Sequence, residues 1–323
     1  MINVRTDLAV EARELYENEN PDTPGVESYT EDKEGIKVSC VRIKDEEGER
    51  KMGKVRGDYI TIEMPEFTHY DGDTMDSVSK VLGETLSKMI NINKSMTALV
   101  VGLGNWNITP DALGPKVVSK LLITRHLKQL IPDEIDEGIR PVCAVAPGVL
   151  GLTGIETSEI VRGVVDRVKP DIVICIDALA SRRMERVNTT IQIGNTGIAP
   201  GSGVQNSRME LSRKTLGIPV IAIGVPTVVD AATMANDTID LVIDELIENS
   251  DKTKGLYSML KSIDRDEKEK MIHEILNPYV GSLMVTPKEV DLVMDSLSKV
   301  IANGINISLQ PALGLEDINR YMS

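Results

Sequence analysis

The chain has 323 residues, is 41% hydrophobic and carries a net charge of −14, with one Phe and one Trp. That supports a sizeable aliphatic core, and the acidic balance without any Lys/Arg tract argues against direct nucleic-acid binding. No charged-then-apolar leader opens the chain and no apolar run reaches the roughly 18 residues of a membrane span, so no membrane association and a cytoplasmic location are expected.

The first element in chain order is a helix over Asp7–Tyr16, with Leu8, Ala12 and Leu15 at helical spacing, broken by Pro21 and Pro24 into a loop. Strands follow at Gly35–Ile43 and Arg56–Met64, joined by a charged Lys44–Lys54 connection carrying Gly48 and Gly53. They read as an antiparallel addition at a sheet edge. Asp73 is placed to cap a helix from Thr74 to Ile90, whose Val78, Val81, Leu82, Leu86 and Met89 share one face.

The centre alternates strand and helix. Ala98–Val101 is apolar without alternation, as in strands covered on both faces, and runs into Gly102-Leu-Gly-Asn105, a polar turn Thr109-Pro-Asp111 and a helix with Val118, Leu121 and Leu122. Arg140–Ala146 is a strand ending in Pro147-Gly148, and Ser158–Lys169 is a helix. Asp171–Ile176 is a second buried strand, ending in Asp177. Thr189–Ile193 alternates like a strand, and Pro219–Gly224 is a third parallel candidate, followed by Val225–Asp230 and a helix over Asp237–Glu248. Thr253–Asp264 reads as a surface excursion, Asp266–Leu276 as a helix stopped by Pro278, and the last long helix starts near Pro287. The order predicts one α/β domain over 1–323: a doubly wound, mostly parallel sheet flanked by helices, with an N-terminal antiparallel edge.

The three histidines, His69, His126 and His273, fall in separate elements, and no HExxH or CxxC pattern marks zinc. Cys40, Cys143 and Cys175 are far apart and read as reduced core residues. The glycine loop lacks the third glycine of a dinucleotide fingerprint, and Gly201-Ser-Gly203 lacks the spacing of a nucleophile elbow. No cofactor is expected.

Acids remain. Asp111 and Asp177 each follow a buried strand, and in such a sheet both face the crevice at the carboxyl edge. Asp111 sits where a helix begins, so it is a cap, a catalytic group, or both. Asp177 follows a dry apolar run and needs a partner. Two carboxylates in one site split their pKa values, one ionised and one protonated, which suits activating a water and protonating a leaving amine; they suit a divalent metal equally. Glu156 and Asp230 also follow strands and read first as caps. Arg182, with Arg183 and Arg186, neutralises the acidic crevice, binds substrate, or forms a solvated helix face. Asn105 closes the glycine loop.

Several strings resemble the spore germination protease family: Arg5-Thr-Asp-Leu-Ala-Val-Glu-Ala12, Gly102-Leu-Gly-Asn105 with Thr109-Pro-Asp-Ala-Leu-Gly-Pro115, and Leu122-Ile-Thr-Arg-His126. Pro147-Gly-Val149, Thr153-Gly-Ile-Glu-Thr157, Ile176-Asp-Ala-Leu-Ala180, Pro226-Thr-Val-Val-Asp230 and Met284-Val-Thr-Pro-Lys-Glu-Val-Asp291 do the same. The resemblance implies an endopeptidase that degrades the small acid-soluble proteins coating spore DNA during germination. It implies a homotetramer in the spore, made as a zymogen that removes its own N-terminal segment. The family's two catalytic aspartates match Asp111 and Asp177. The family cuts after an acidic residue followed by an apolar residue and Ala, which places self-processing between Asp7 and Leu8 and makes residues 1–7 a propeptide; a cap at Asp7 is the alternative. The pattern is also similar, more distantly, to hydrogenase-maturation proteases, whose equivalent acids surround a metal, so a metal-dependent peptidase is the alternative mechanism.

Overall fold

A computed structural model describes residues 6–19, 24–65, 68–90, 93, 95–199, 209–249, 259, 268, 271–272, 274–275 and 283–322. The chain enters through α1 (Ala9–Glu19) and an antiparallel meander of β1 (Val26–Lys33), β2 (Ile36–Ile43) and β3 (Gly57–Glu63), with α2 (Glu46–Met52) between the last two. Next come α3 (Gly72–Met89), β4 (Ala98–Gly102), α4 (Leu113–Val118), α5 (Arg125–Leu130) and β5 (Val142–Val145). They are followed by α6 (Leu150–Thr153), α7 (Thr157–Val168), β6 (Ile172–Ser181), β7 (Thr190–Gly194), α8 (Arg213–Leu216) and β8 (Val220–Asp230). The described elements end with α9 (Ala231–Asn249), β9 (Met284–Val285), α10 (Val290–Leu309) and α11 (Leu315–Met322).

Among the described residues, one nine-stranded sheet runs β1-β2-β3-β7-β8-β6-β4-β5, with β9 added to the end of β8. β8, β6, β4 and β5 pair in parallel, and the β1-β2-β3 edge joins through antiparallel β7. The parallel strands are apolar on both faces because both are covered. One face carries Val100, Ile174, Ile176 and Ile223 against Leu82 and Leu86 of α3, Leu113 of α4, and Leu297 and Ile301 of α10. The other carries Leu99, Val101, Val173 and Cys175 against Val161 and Val165 of α7. The α/β architecture and its antiparallel edge are as the sequence predicts.

Local boundaries differ for physical reasons. The loop expected after the first helix contains β1, a mostly exposed edge strand whose polar residues hide the alternation of a buried one. The Lys44–Lys54 connection holds α2, capped by the Asp45 carboxylate accepting from the Gly48 N–H at 2.9 Å and ended by Gly53 at φ +61°. Asp71, not Asp73, caps α3 by accepting from the Thr74 N–H at 3.1 Å. Asp177 lies within β6, which continues to Ser181 because β8 extends beside it to Asp230. α9 starts at Ala231, where Asp230 turns the chain into helix. The expected Thr253–Asp264 excursion and Asp266–Leu276 helix lie largely outside the described residues.

Candidate active site

The loop after β4 is shaped by backbone contact. A Cβ on Gly102 would stand 2.2 Å from the Gly114 carbonyl oxygen, and one on Gly114 would stand 2.2 Å from the Leu103 carbonyl oxygen. The strand end and the start of α4 therefore touch main chain to main chain. Gly104 has φ +112°, and a Cβ there would fall 2.0 Å from the Asp111 carbonyl oxygen. These glycines fit a close turn, the role Gly serves wherever backbones approach.

Asp111 ends a 3₁₀ turn over Thr109–Asp111, one residue before the Ala112 cap of α4. The Asn105 N–H donates both to the Asp111 carbonyl at 3.0 Å and to its Oδ2 at 2.9 Å. Asn105 Oδ1 in turn accepts from the Asn107 N–H at 3.0 Å, which fixes the donor. Asp111 is thus oriented by the loop, and the cap position of α4 itself is taken by Ala112.

Asp177 is 5% exposed and pairs with Gly224 across β6 and β8. Its Oδ1 accepts from the Ala178 N–H at 3.0 Å. Burial, together with the Asp177 charge, pushes the Cys175 thiol far above its usual pKa, so that cysteine is an inert core residue. The Leu103 N–H donates to the Ile176 carbonyl at 2.8 Å, tying the glycine loop to the residue before Asp177.

Asp111 and Asp177 line one cavity of about 350 Å³, along with Asp7, Ile108, Pro110, Ala178, Leu179, Thr227 and Met284. Asp7 arrives there on the segment before α1. Its N–H donates to the Ala180 carbonyl at 3.1 Å, and its Oδ2 accepts from the Ala180 N–H at 3.0 Å, so it extends along the tail of β6. Leu8 is fully buried with Val10 and Leu179, and Ala9 is fully buried against Val41, Ile43, Met52 and Tyr59. Glu11, 1% exposed, accepts from the Arg182 N–H at 2.8 Å and the Arg183 N–H at 3.0 Å, and lies 3.6 Å from the Arg186 guanidinium. Residues 6–11 are therefore docked over their full length.

The remaining residues singled out from the sequence stand apart from that cavity. Glu156 occupies the cap position of α7 with no side-chain capping bond. The Arg182 guanidinium pairs with Asp237 at 3.1 Å. Asp230 caps α9, its Oδ1 accepting from the Thr233 N–H at 2.9 Å. Two residues the sequence did not single out reach the segment: Lys54 and Gln192 both donate to the Asp7 carbonyl. Only the αL Gly53 beside Lys54 hints at the turn that aims it; nothing in the local sequence marks Gln192. Among the described residues, no group of three or more His, Cys, Asp or Glu side chains is placed to share a metal.

No helix among the described residues is long and apolar enough to cross a membrane. A family model described as Germination protease matches residues 4–249 and 243–322. The chain is 65% identical over 323 residues to the germination protease of Clostridium tetani, covering all of both chains. It is 54% identical to that of Caldanaerobacter subterraneus, covering all of this chain and 99% of the relative. To the germination protease of Bacillus subtilis it is 44% identical over 355 aligned positions, covering 98% and 96%. With a family model matching almost its whole length and relatives matched end to end, the chain belongs to the germination protease family of peptidases.

Proposed function

We propose that this chain is an aspartate-dependent endopeptidase that starts the breakdown of small acid-soluble DNA-coating proteins in the germinating spore. Its family membership supports the protease activity and the germination setting, and the site supports the mechanism. The observation that carries the mechanism is one cavity lined by Asp111, Asp177 and Asp7. One carboxylate, ionised, takes a proton from a water that attacks the peptide carbonyl carbon. The other, protonated, gives its proton to the leaving nitrogen as the C–N bond breaks. A buried Asp177 beside a loop-held Asp111 suits that division of protonation states.

The first substrate is the chain itself. Residues 1–7 form a propeptide and the bond cut is Asp7–Leu8, a reading supported by Asp7 lining the same cavity as Asp111 and Asp177. Self-processing is then intramolecular. Exposed Ile239, Leu241, Val242 and Leu246 on α9 supply apolar surface for the homotetramer that the resemblance implies. Purified chain brought to mildly acidic pH should yield a product starting at Leu8, at a rate independent of protein concentration. A different new N-terminus, or a rate rising with concentration, refutes this order of events.

A further inference from the structure

The peptide we assign as the self-processing bond is held by two donors that the acid pair does not supply. Lys54 Nζ donates to the Asp7 carbonyl oxygen at 2.9 Å, and Gln192 Nε2 donates to the same oxygen at 3.0 Å. Gln192 Oε1 also accepts from the Ala9 N–H at 2.6 Å, so one side-chain amide straddles Leu8 and fixes the main chain on both sides of it. Gln192 is set by β7, between Thr61 of β3 and Gly224 of β8. Lys54 is set by the left-handed Gly53 that ends α2. Both donors line a second cavity of about 250 Å³, and Asp7, Leu179 and Ala199 are common to it and to the cavity of the acids.

We propose that Lys54 and Gln192 are the oxyanion-stabilising pair of this peptidase, gripping the carbonyl oxygen of the bond that is cut. The proposal rests on the reading that Asp111 and Asp177 hydrolyse the Asp7–Leu8 bond, and it extends to any substrate whose acidic residue takes the place of Asp7. As water oxygen bonds to the Asp7 carbonyl carbon, the π electron pair moves onto the carbonyl oxygen. The water proton passes to the ionised carboxylate. The negative oxygen then sits between an ammonium and an amide N–H already in place, contacts that strengthen as charge develops. Collapse returns the pair to the C=O, breaks the C–N bond, and sends the Leu8 nitrogen away with the proton of the second carboxylate. Lys54 is half-buried, and burial pushes its pKa below the usual lysine value, opposed by the charges of Asp7 and Glu11. A desolvated cation acts more strongly on a developing anion than one in water.

The test uses the full chain and Lys54→Met, Lys54→Gln and Gln192→Leu. Self-processing, followed by release of a chain starting at Leu8, should slow about 100-fold in Lys54→Met and Gln192→Leu, the range for losing one such donor. Lys54→Gln, which keeps a neutral donor, should recover part of that loss. In processed enzyme acting on a peptide with an acidic-Leu-Ala sequence, the loss should appear in kcat with KM within about twofold. A phosphinic peptide carrying a tetrahedral anion at the cut position should bind about 100-fold more weakly, matching the kcat loss. Should Lys54→Met not fold, Gln192→Leu and Lys54→Gln carry the same readouts. Normal kcat and normal phosphinate affinity in the folded variants, or a loss confined to KM, overturns the pair while leaving the aspartate reading intact. Cleavage of wild type at another bond, or an active Asp111→Asn, overturns both.

Discussion

Gly104→Ala isolates the idea that the glycine loop exists to aim Asp111. The residue has φ +112°, and a Cβ would sit 2.0 Å from the Asp111 carbonyl oxygen and 3.2 Å from its Oδ1. Reaching ordinary contact at 3.4 Å requires an outward shift of 3.4 − 2.0, or about 1.4 Å, between two pieces of backbone. The paired Asn105 bonds to Asp111, at 3.0 and 2.9 Å, do not survive such a shift intact. Positive-φ strain adds about 1–2 kcal/mol, overpacking about 1–3 kcal/mol, and together they predict a loss of about 2–5 kcal/mol. A misplacement near 1 Å at a reacting group costs about 100-fold in rate. The assay pairs urea unfolding with single-turnover cleavage. Gly163→Ala is the control: it is a helix-interior glycine of α7 with nothing within 4 Å, where Ala gains about 0.5–1 kcal/mol and leaves cleavage unchanged. If Gly104→Ala keeps wild-type stability and rate, the loop does not position Asp111.

Three further outcomes follow from the docked segment and its surroundings. Glu11→Ala leaves the Arg182 and Arg183 N–H groups without their acceptor, while Arg186 keeps Glu14 and Glu63, at a cost of about 1–3 kcal/mol for each donor left unpaired, and limited proteolysis should then cut within α1. Treatment with a chelator should leave cleavage unchanged; loss that a divalent ion restores would favour the metal-dependent alternative over proton transfer by the acids alone. His69, whose Nε2 donates to the Asn188 carbonyl at 2.8 Å, has its pKa pushed below 6.5 by burial. The unfolded chain therefore takes up the proton first, and stability should be full above pH 6.5 and fall as pH drops through the folded-state pKa. His69→Gln should flatten that fall in denaturant midpoints measured between pH 7 and pH 5.

Most of the fold is legible because the parallel strands carry unbroken Val, Ile and Leu runs that only a doubly covered sheet explains. What escapes local reading depends on neighbours distant in sequence. β6 runs on past Asp177 to Ser181 because β8 continues beside it, and no residue in Ile172–Ile176 announces that partner. Strand β1 is polar because it lies at an edge, so it lacks the alternation that betrays a half-buried strand. The acids of the site stand out through their places at the ends of apolar runs. Lys54 and Gln192 do not, because each meets the Asp7 carbonyl from 47 and 185 residues away along the chain. The glycines of the Gly102–Asn105 loop were the most visible feature of the sequence. Their role is close approach of backbone to backbone around Asp111, in place of the phosphate cradle that such a loop first suggests.

The most direct test of the account is cleavage by Asp111→Asn and Asp177→Asn, near-isosteric changes that remove one ionisable group each. Both variants should unfold in urea within about 2 kcal/mol of wild type, the scale of one lost charged hydrogen bond. Both should show no release of a Leu8 N-terminus and no cleavage of an acidic-Leu-Ala peptide over times that convert wild type fully. A folded Asp111→Asn or Asp177→Asn that cleaves at the wild-type rate contradicts the shared-aspartate mechanism.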